Sequence, residues 1–164
     1  MTEEHLEVAV GELLRSLGLK LSVAESCTGG LMGHRLTNVP GSSDYFIGGV
    51  VAYSYQAKQQ ILGVRQDTLE NFGAVSEQTA LEMAQGARKL FTSDLAVSIT
   101  GIAGPGGETP DKPVGLVYIA LSAPDQEVCY RFVWDSDREG NKAHSARAAL
   151  YILETYLRQR ANAH

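Results

Sequence analysis

Hydrophobic and polar positions follow helical spacing in some stretches of the chain and strand-like runs in others. Apolar residues recur three or four positions apart from Leu6 to Leu17, which predicts an amphipathic helix that Gly18 ends. The apolar run at 19–24 predicts a strand. The glycines at 29–30 lead into a second helix, which the Pro-Gly pair at 40–41 ends.

The middle of the chain also alternates between strand-like runs and helical spacing of apolar residues. Residues 46–53 are rich in Val and aromatic side chains, which is typical of a strand, and residues 57–62 predict a short helix. Ser76 is placed as the N-cap of a long helix with alanines at helical spacing. A third strand is predicted at 94–100. Helices and strands therefore alternate through the first half of the chain.

The second half contains a hairpin and a final helix. A Gly/Pro-rich loop at 101–115 precedes two predicted strands, at 115–122 and 127–134. The connection between these strands is so short that they must run antiparallel. Apolar residues then recur on one stripe of a last helix, from Ala143 to Leu157.

This order of elements predicts an α/β fold, built as a single three-layer α/β/α domain with a mixed sheet over residues 1–164. The length fits one ordinary domain, and 44% apolar with 20% charged residues fits a globular chain. The net charge of -5 argues against nucleic acid as the main partner.

The remaining composition bears on location and metal binding. The longest apolar runs are far too short to span a membrane, and the acidic residues at 3–4 differ from the start of a signal peptide. We therefore expect a cytoplasmic protein without a membrane partner. Cys27 and Cys129 form no C-x-x-C pair, so no metal site of that kind is indicated. The sequence leaves the oligomeric state open, including a homo-oligomer.

The segment at 24–30, Ala-Glu-Ser-Cys-Thr-Gly-Gly, lies where a strand ends and a helix begins. The Ser26 hydroxyl could attack a carbonyl there while free N–H groups of the first helical turn hold the oxyanion. Taken alone, a Ser/Thr N-cap followed by a glycine turn explains the segment better. Cys27 is a weaker rival, because a cysteine nucleophile usually needs a histidine and none of the four histidines is suitably placed.

A second segment, at 53–58, ends in a lysine. Lys58 could serve as the base for Ser26 if burial or a neighbouring cation lowers its pKa from about 10.4 toward 7–8. Tyr53 could orient this lysine or relay a proton. The alternative is a solvated surface lysine, which is the usual state of a single lysine.

Two further segments could bind an anion. The loop that begins at Thr100 and Gly101 is rich in backbone N–H groups, although an irregular surface loop is an equal interpretation. Arg138 and Lys142 lie four residues apart, so they could share one helix face and bind a phosphate. The alternative is a charged first helical turn with Asp137 as its N-cap.

Taken together, these segments resemble the CinA (competence/damage-inducible) C-terminal domain. The matching motifs occur in order along nearly the whole chain: A-E-S-C-T-G-G at 24–30, P-G-S-S at 40–43, Y-S-x-x-x-K at 53–58, G-A-V-S-E at 73–77, a T-G-I-A-G-P glycine loop from 100, and K-P-V-G at 112–115. No single motif is specific, but their order is. The resemblance also implies a stand-alone form of the domain.

The resemblance implies a serine–lysine amidohydrolase that converts nicotinamide mononucleotide to nicotinic acid mononucleotide and ammonia, in pyridine nucleotide recycling. Ser26 would be the nucleophile and Lys58 its base, with Tyr53 in support. Substrate would lie against Thr28, Gly29, Gly30, Thr100, Gly101, Arg138 and Lys142. The resemblance implies no cofactor and no metal, and the partner would be the pyridine mononucleotide itself.

Three residues depart from the family pattern as we know it. Tyr55 stands in place of Asn, Ser136 in place of Gly, and Lys142 in place of Arg. Lysine carries the charge without the bidentate fork of arginine. Two alternatives therefore stay open: an inactive member that binds a mononucleotide as a regulatory module, and a competence factor that binds nucleic acid, against which the acidic charge argues.

Overall fold

The computed structural model describes residues 6–163, which form six α-helices and five strands. The helices are α1 (Leu6–Leu17), α2 (Leu31–Thr37), α3 (Tyr55–Leu62), α4 (Gln66–Phe72), α5 (Glu77–Phe91) and α6 (Arg138–Asn162). The strands are β1 (Leu21–Glu25), β2 (Phe46–Val51), β3 (Leu95–Gly101), β4 (Leu116–Ser122) and β5 (Glu127–Val133). No helix among the described residues is both long and apolar enough to cross a membrane.

The five strands form one mixed sheet in the order β2-β1-β3-β4-β5. The strands β2, β1 and β3 are parallel to one another, whereas β4 runs antiparallel to both β3 and β5. The predicted α/β class with a mixed sheet and an antiparallel hairpin is confirmed. Because the carboxyl ends of the three parallel strands meet at one edge, the segments that follow them converge there.

Helices cover both faces of the sheet. The helices α1, α2 and α6 pack together on one face, while α3, α4 and α5 pack on the other. Alternation along β3 explains how one strand serves both layers, because Val97 and Ile99 join the core under α6 while Ala96 joins the core under α5. The predicted three-layer arrangement is therefore present.

Polar caps set the starts of the helices that lead into the site. Ser54 accepts a hydrogen bond from the N–H of Ala57 at the start of α3, and Ser76 caps α5 in the same way. The expected cap of the last helix is confirmed, since the Asp137 carboxylate accepts from the N–H of Gly140 at 2.7 Å.

Two short elements were not predicted from the sequence. One is the 3-10 turn at Ser42–Asp44, and the other is α4, which lies between two longer helices. Only Thr68 and Leu69 of α4 are buried, so its sequence shows almost no periodic pattern of apolar residues. Its position depends on tertiary contacts such as the bond from the Thr68 hydroxyl to Glu82 on α5.

Candidate functional site

The Ser26 hydroxyl and the Lys58 amine meet at the carboxyl edge of the sheet. Ser26 directly follows β1. Lys58 lies one turn into α3, the helix that follows β2. Lys58 Nζ lies 3.0 Å from Ser26 Oγ. Only 7% of Ser26 and 1% of Lys58 are exposed. Two side chains thirty-two positions apart therefore share one desolvated contact.

Lys58 is held by backbone carbonyls, and no carboxylate of residues 6–163 pairs with it. Its Nζ donates to the carbonyl oxygen of Ala52 at 2.9 Å and to that of Tyr53 at 3.2 Å. Burial lowers the pKa of Lys58 from 10.5 to about 8. Of the two causes anticipated from the sequence, burial is the one that lowers the pKa here, and the nearby Cys27 opposes it.

The turn between β1 and α2 presents backbone N–H groups. Gly29 and Gly30 both have positive φ, at 61° and 105°, which favours glycine at both positions. The N–H of Gly29 closes a turn onto the Ser26 carbonyl. The N–H groups of Thr28 and Gly30 have no acceptor in the described part of the chain. These two donors lie within four residues of the Ser26 hydroxyl.

The first turn of α2 does not supply free donors, which corrects an expectation from the sequence. The N–H groups of Met32 and Gly33 donate to the Glu25 carboxylate at 2.9 and 3.1 Å. The Thr28 hydroxyl donates to the same carboxylate at 2.6 Å. Glu25 is 2% exposed, so the helix start is closed by a buried acid from the chain itself. Among residues 26–33, the N–H groups without an acceptor therefore lie in the turn before α2.

Cys27 follows Ser26 in the chain and lies close enough to Lys58 for their charges to interact. Burial raises the pKa of its thiol to about 12, so the reactive thiolate is not formed near neutral pH. The two described histidines lie elsewhere, His34 against Asn38 and His144 against Trp134. His5 and His164 lie outside the described residues. These contacts favour the Ser26 hydroxyl over the Cys27 thiol.

Tyr53 contacts the site through two different groups. Its backbone carbonyl faces Lys58, whereas its phenol oxygen accepts a hydrogen bond from Arg138 Nη2 at 3.1 Å. Arg138 Nη1 donates to the Gly104 carbonyl at 2.6 Å. The guanidinium thus links the loop after β3 to the segment after β2. The Tyr53 phenol touches Arg138 and not the lysine it was expected to support.

The two cations of α6 are in different states. Arg138 is engaged by Gly104 and Tyr53, as described above. Lys142 donates to no acceptor in residues 6–163, and its Nζ would lie 3.8 Å from a Cβ placed at Gly29. Lys142 therefore brings an uncommitted positive charge to the glycine turn. Both predicted cations lie near the glycine turn or Tyr53, but Arg138 has two hydrogen-bond partners and Lys142 has none in residues 6–163.

Thr100 and Gly101 are the last two residues of β3, the strand next to the segment that carries Ser26. Ser26 is fixed to this strand by its N–H, which donates to the Ile99 carbonyl at 2.9 Å. The Thr100 hydroxyl donates to the Ala74 carbonyl at 2.8 Å, and the residue is only 1% exposed. Gly101 is needed because a Cβ there would lie 2.7 Å from the Leu116 carbonyl oxygen. The Thr100 hydroxyl thus anchors the segment before α5.

Two polar residues of this region were not identified as candidates from the sequence. One is Glu25, whose charge at the end of a fully buried strand was a signal that could have been used. The other is Asn141, which is 1% exposed and donates to the Ala103 carbonyl at 3.0 Å. A buried asparagine on a helix has no distinctive pattern in the sequence. Glu25 and Asn141 each link two segments of the chain near the Ser26–Lys58 contact through hydrogen bonds.

Comparison with known proteins bears on this geometry. The sequence model of the CinA C-terminal domain matches residues 3–157. A competence-damage inducible protein of Desulforudis audaxviator is 49% identical over 159 residues, which cover 97% of this chain and 38% of that protein. A CinA-like protein of Thermotoga neapolitana is 48% identical and is covered over 39% of its length. The chain thus spans about two fifths of these relatives.

Solved structures agree with the fold. A CinA superfamily protein from Klebsiella pneumoniae superposes with a TM-score of 0.93 at 33% identity, covering 97% of this chain and 99% of that one. The competence/damage inducible protein CihA from Agrobacterium tumefaciens gives a TM-score of 0.91 at 42% identity, with 95% of each chain covered. Sequence and structure therefore point to the same group of proteins.

Proposed function

Because this chain belongs to the CinA C-terminal domain family, we propose that it is an amidohydrolase that removes the amide group of nicotinamide mononucleotide. The products are nicotinic acid mononucleotide and ammonia. The observation that carries the proposal is the 3.0 Å contact between Ser26 Oγ and a buried lysine amine. Ser26 is hydrogen-bonded to a base of lowered pKa, whereas burial raises the pKa of the neighbouring Cys27 thiol to about 12.

The surroundings of Lys58 favour its neutral form as the base. An uncharged amine has two N–H bonds and one lone pair. The carbonyls of Ala52 and Tyr53 take the two N–H bonds, which leaves the lone pair to accept the proton of the Ser26 hydroxyl. With a pKa of about 8, the amine is neutral in a useful fraction of molecules near neutral pH.

The reaction then follows from these positions. Ser26 Oγ attacks the carboxamide carbon while its proton moves to Lys58 Nζ. The N–H groups of Thr28 and Gly30 stabilise the negative oxygen of the tetrahedral intermediate. The C–N bond breaks as Lys58 returns the proton to the leaving nitrogen, which departs as ammonia. Water, deprotonated by the same lysine, hydrolyses the acyl-enzyme and restores Ser26.

The substrate phosphate fits the two cations of α6 unequally. Lys142 has an unoccupied amine beside Gly29, so it supplies the direct charge contact. Arg138 is engaged by Gly104 and Tyr53, so it contributes chiefly by holding the rim in place. We assign the phosphate to Lys142, with Gly29 allowing close approach.

The test is incubation of the purified chain with nicotinamide mononucleotide, with ammonia measured and the pyridine product identified by mass. We expect stoichiometric ammonia and nicotinic acid mononucleotide, and neither product from Ser26→Ala. Tight binding of the mononucleotide without ammonia release would instead identify a binding member of the family. Equal ammonia release from Ser26→Ala would remove the serine from the mechanism.

A further inference from the structure

Glu25, like Lys58, is a buried ionisable side chain of the site with three hydrogen-bond partners. Its carboxylate accepts three hydrogen bonds, from the Thr28 hydroxyl, the Met32 N–H and the Gly33 N–H. A buried carboxylate is costly unless such donors stabilise it. The mechanism above gives this acid no chemical step, although it directly precedes the nucleophile in the chain.

We propose that Glu25 is a positioning residue that sets the geometry of the turn carrying the nucleophile and the oxyanion donors. The inference rests on the proposed Ser26–Lys58 chemistry. It assigns to Glu25 the task of holding both ends of the segment from Ser26 to Gly30. The same segment is also held by the bond from the Ser26 N–H to the Ile99 carbonyl and by turn bonds from Gly29 to Ser26 and from Leu31 to Thr28.

The first restraint is at the backbone of Glu25. Its carbonyl accepts a hydrogen bond from the Ala52 N–H at 2.9 Å, and the Ala52 carbonyl in turn accepts from Lys58 Nζ. One residue, Ala52, therefore links the backbone of Glu25 to the amine of Lys58. This link is a main-chain contact, so a change of the Glu25 side chain leaves it in place.

The second restraint is at the carboxylate. Because it occupies the N–H groups of Met32 and Gly33 and also the Thr28 hydroxyl, it draws the start of α2 and the middle of the turn toward β1. The N–H groups of Thr28 and Gly30 keep no acceptor of their own in residues 6–163. The carboxylate thus satisfies the helix start and leaves only the turn donors for the oxyanion.

The experiment substitutes Glu25→Gln. The amide oxygen keeps the contacts to Thr28 and Met32, but an NH₂ group replaces the oxygen that faces the Gly33 N–H, so two donors oppose each other. We expect kcat to fall about 10- to 100-fold, as when an oxyanion donor is displaced, with KM changed less than about threefold. The matched control is Glu154→Gln, which removes a buried glutamate paired with Arg158 on α6 and should leave kcat unchanged.

A second measurement separates positioning from a loss of folded protein. Pyridine-3-boronic acid can form a tetrahedral adduct on Ser26 whose boron-bound oxygen occupies the oxyanion position. We expect its Kd to rise in Glu25→Gln by about the factor by which kcat falls, with binding stoichiometry unchanged. A purely structural role would lower the stoichiometry and leave the Kd as in the wild type, and that result would overturn the proposal.

Should Glu25→Gln fail to fold, Thr28→Val removes one donor to the carboxylate and Thr28→Ser keeps it. We expect kcat to fall about 3- to 10-fold in the valine variant and to recover in the serine variant. Wild-type kcat in Thr28→Val overturns the proposal. An inactive Ser26→Ala beside a fully active Glu25→Gln overturns the role of Glu25 alone, whereas an active Ser26→Ala overturns the proposed function.

Discussion

The site has two regions that are built in different ways. Its floor is the Ser26–Lys58 contact, where the side chains are 7% and 1% exposed and each has fixed partners. Its rim is the start of α6, where Arg138 is exposed and Lys142 has no acceptor in the described chain. The floor is made of strand ends and a helix packed against the sheet, whereas the rim is one helical turn over a loop.

This difference separates chemistry from recognition. On the floor, burial lowers the pKa of Lys58 to about 8, so the proposed base depends on how the fold packs around it. Such a base is set by the fold and tolerates little change. The rim supplies charge at the surface, where one cation can replace another at modest cost. Substitutions on the floor should therefore change kcat, and substitutions on the rim should change KM.

The largest effect is expected from Lys58→Met. The variant keeps an apolar stem of similar length but has no lone pair to take the Ser26 proton, so kcat should fall by about 10³-fold or more. Initial rates of ammonia release measure it, with circular dichroism to establish folding. Lys89→Met, at the far end of α5, is the matched surface control and should keep the wild-type rate. If Lys58→Met kept a tenth of the wild-type kcat, the assignment of the chemistry to the floor would be wrong.

The next effect is the dependence on pH. The base must be neutral, so kcat/KM should rise with pH up to about 8 and should lie about 100-fold lower two units below that pH. Rates across pH 5.5–9.5 test this, and an acid limb near pH 6.5 would indicate a histidine in place of Lys58.

The same pKa shift predicts a change in stability. The folded chain releases the Lys58 proton near pH 8, while the unfolded chain holds it up to about 10.5. Over that window the unfolded state binds more protons, so the free energy of unfolding should rise with pH, by at most about 3 kcal/mol. Denaturant titrations of wild type and Lys58→Met isolate this contribution, and parallel curves for the two proteins would contradict it.

Much of the floor could be anticipated from the sequence. Ser26 and Lys58 each follow a strand predicted from its apolar run, and neighbouring parallel strands end at the same edge of a sheet. The strand order itself, β2-β1-β3-β4-β5, could not be read from the periods, because periodicity is local and pairing is not. The short helix α4 was missed for the related reason that its contacts, and not its own pattern, place it.

The rim was harder to predict. The spacing of Arg138 and Lys142 placed them on one helix, but their separate surroundings depend on where the loop at Gly104 and the phenol of Tyr53 lie. The sequence suggested free N–H groups in the first turn of α2, because it did not reveal that the Glu25 carboxylate folds back onto the N–H groups of Met32 and Gly33. Each miss concerns a tertiary hydrogen bond.

A smaller effect is expected at Lys142. Lys142→Met removes the uncommitted charge beside Gly29, so KM for nicotinamide mononucleotide should rise about tenfold while kcat stays within about twofold. Lys142→Arg should lower KM below the wild-type value, because the guanidinium fork can bind phosphate in a bidentate manner. Steady-state kinetics at fixed ionic strength measure both variants. A loss of kcat in Lys142→Met with unchanged KM would place this lysine on the floor.

The smallest effect is expected at Tyr53, where the two regions meet. Its carbonyl belongs to the floor, because it faces Lys58, and its phenol belongs to the rim, because it accepts from Arg138. Tyr53→Phe deletes only the second contact, so kcat should stay within about threefold and KM should rise by a similar factor. A 50-fold loss of kcat would instead mean that the phenol relays protons to Lys58. The whole of Tyr53 would then belong to the floor.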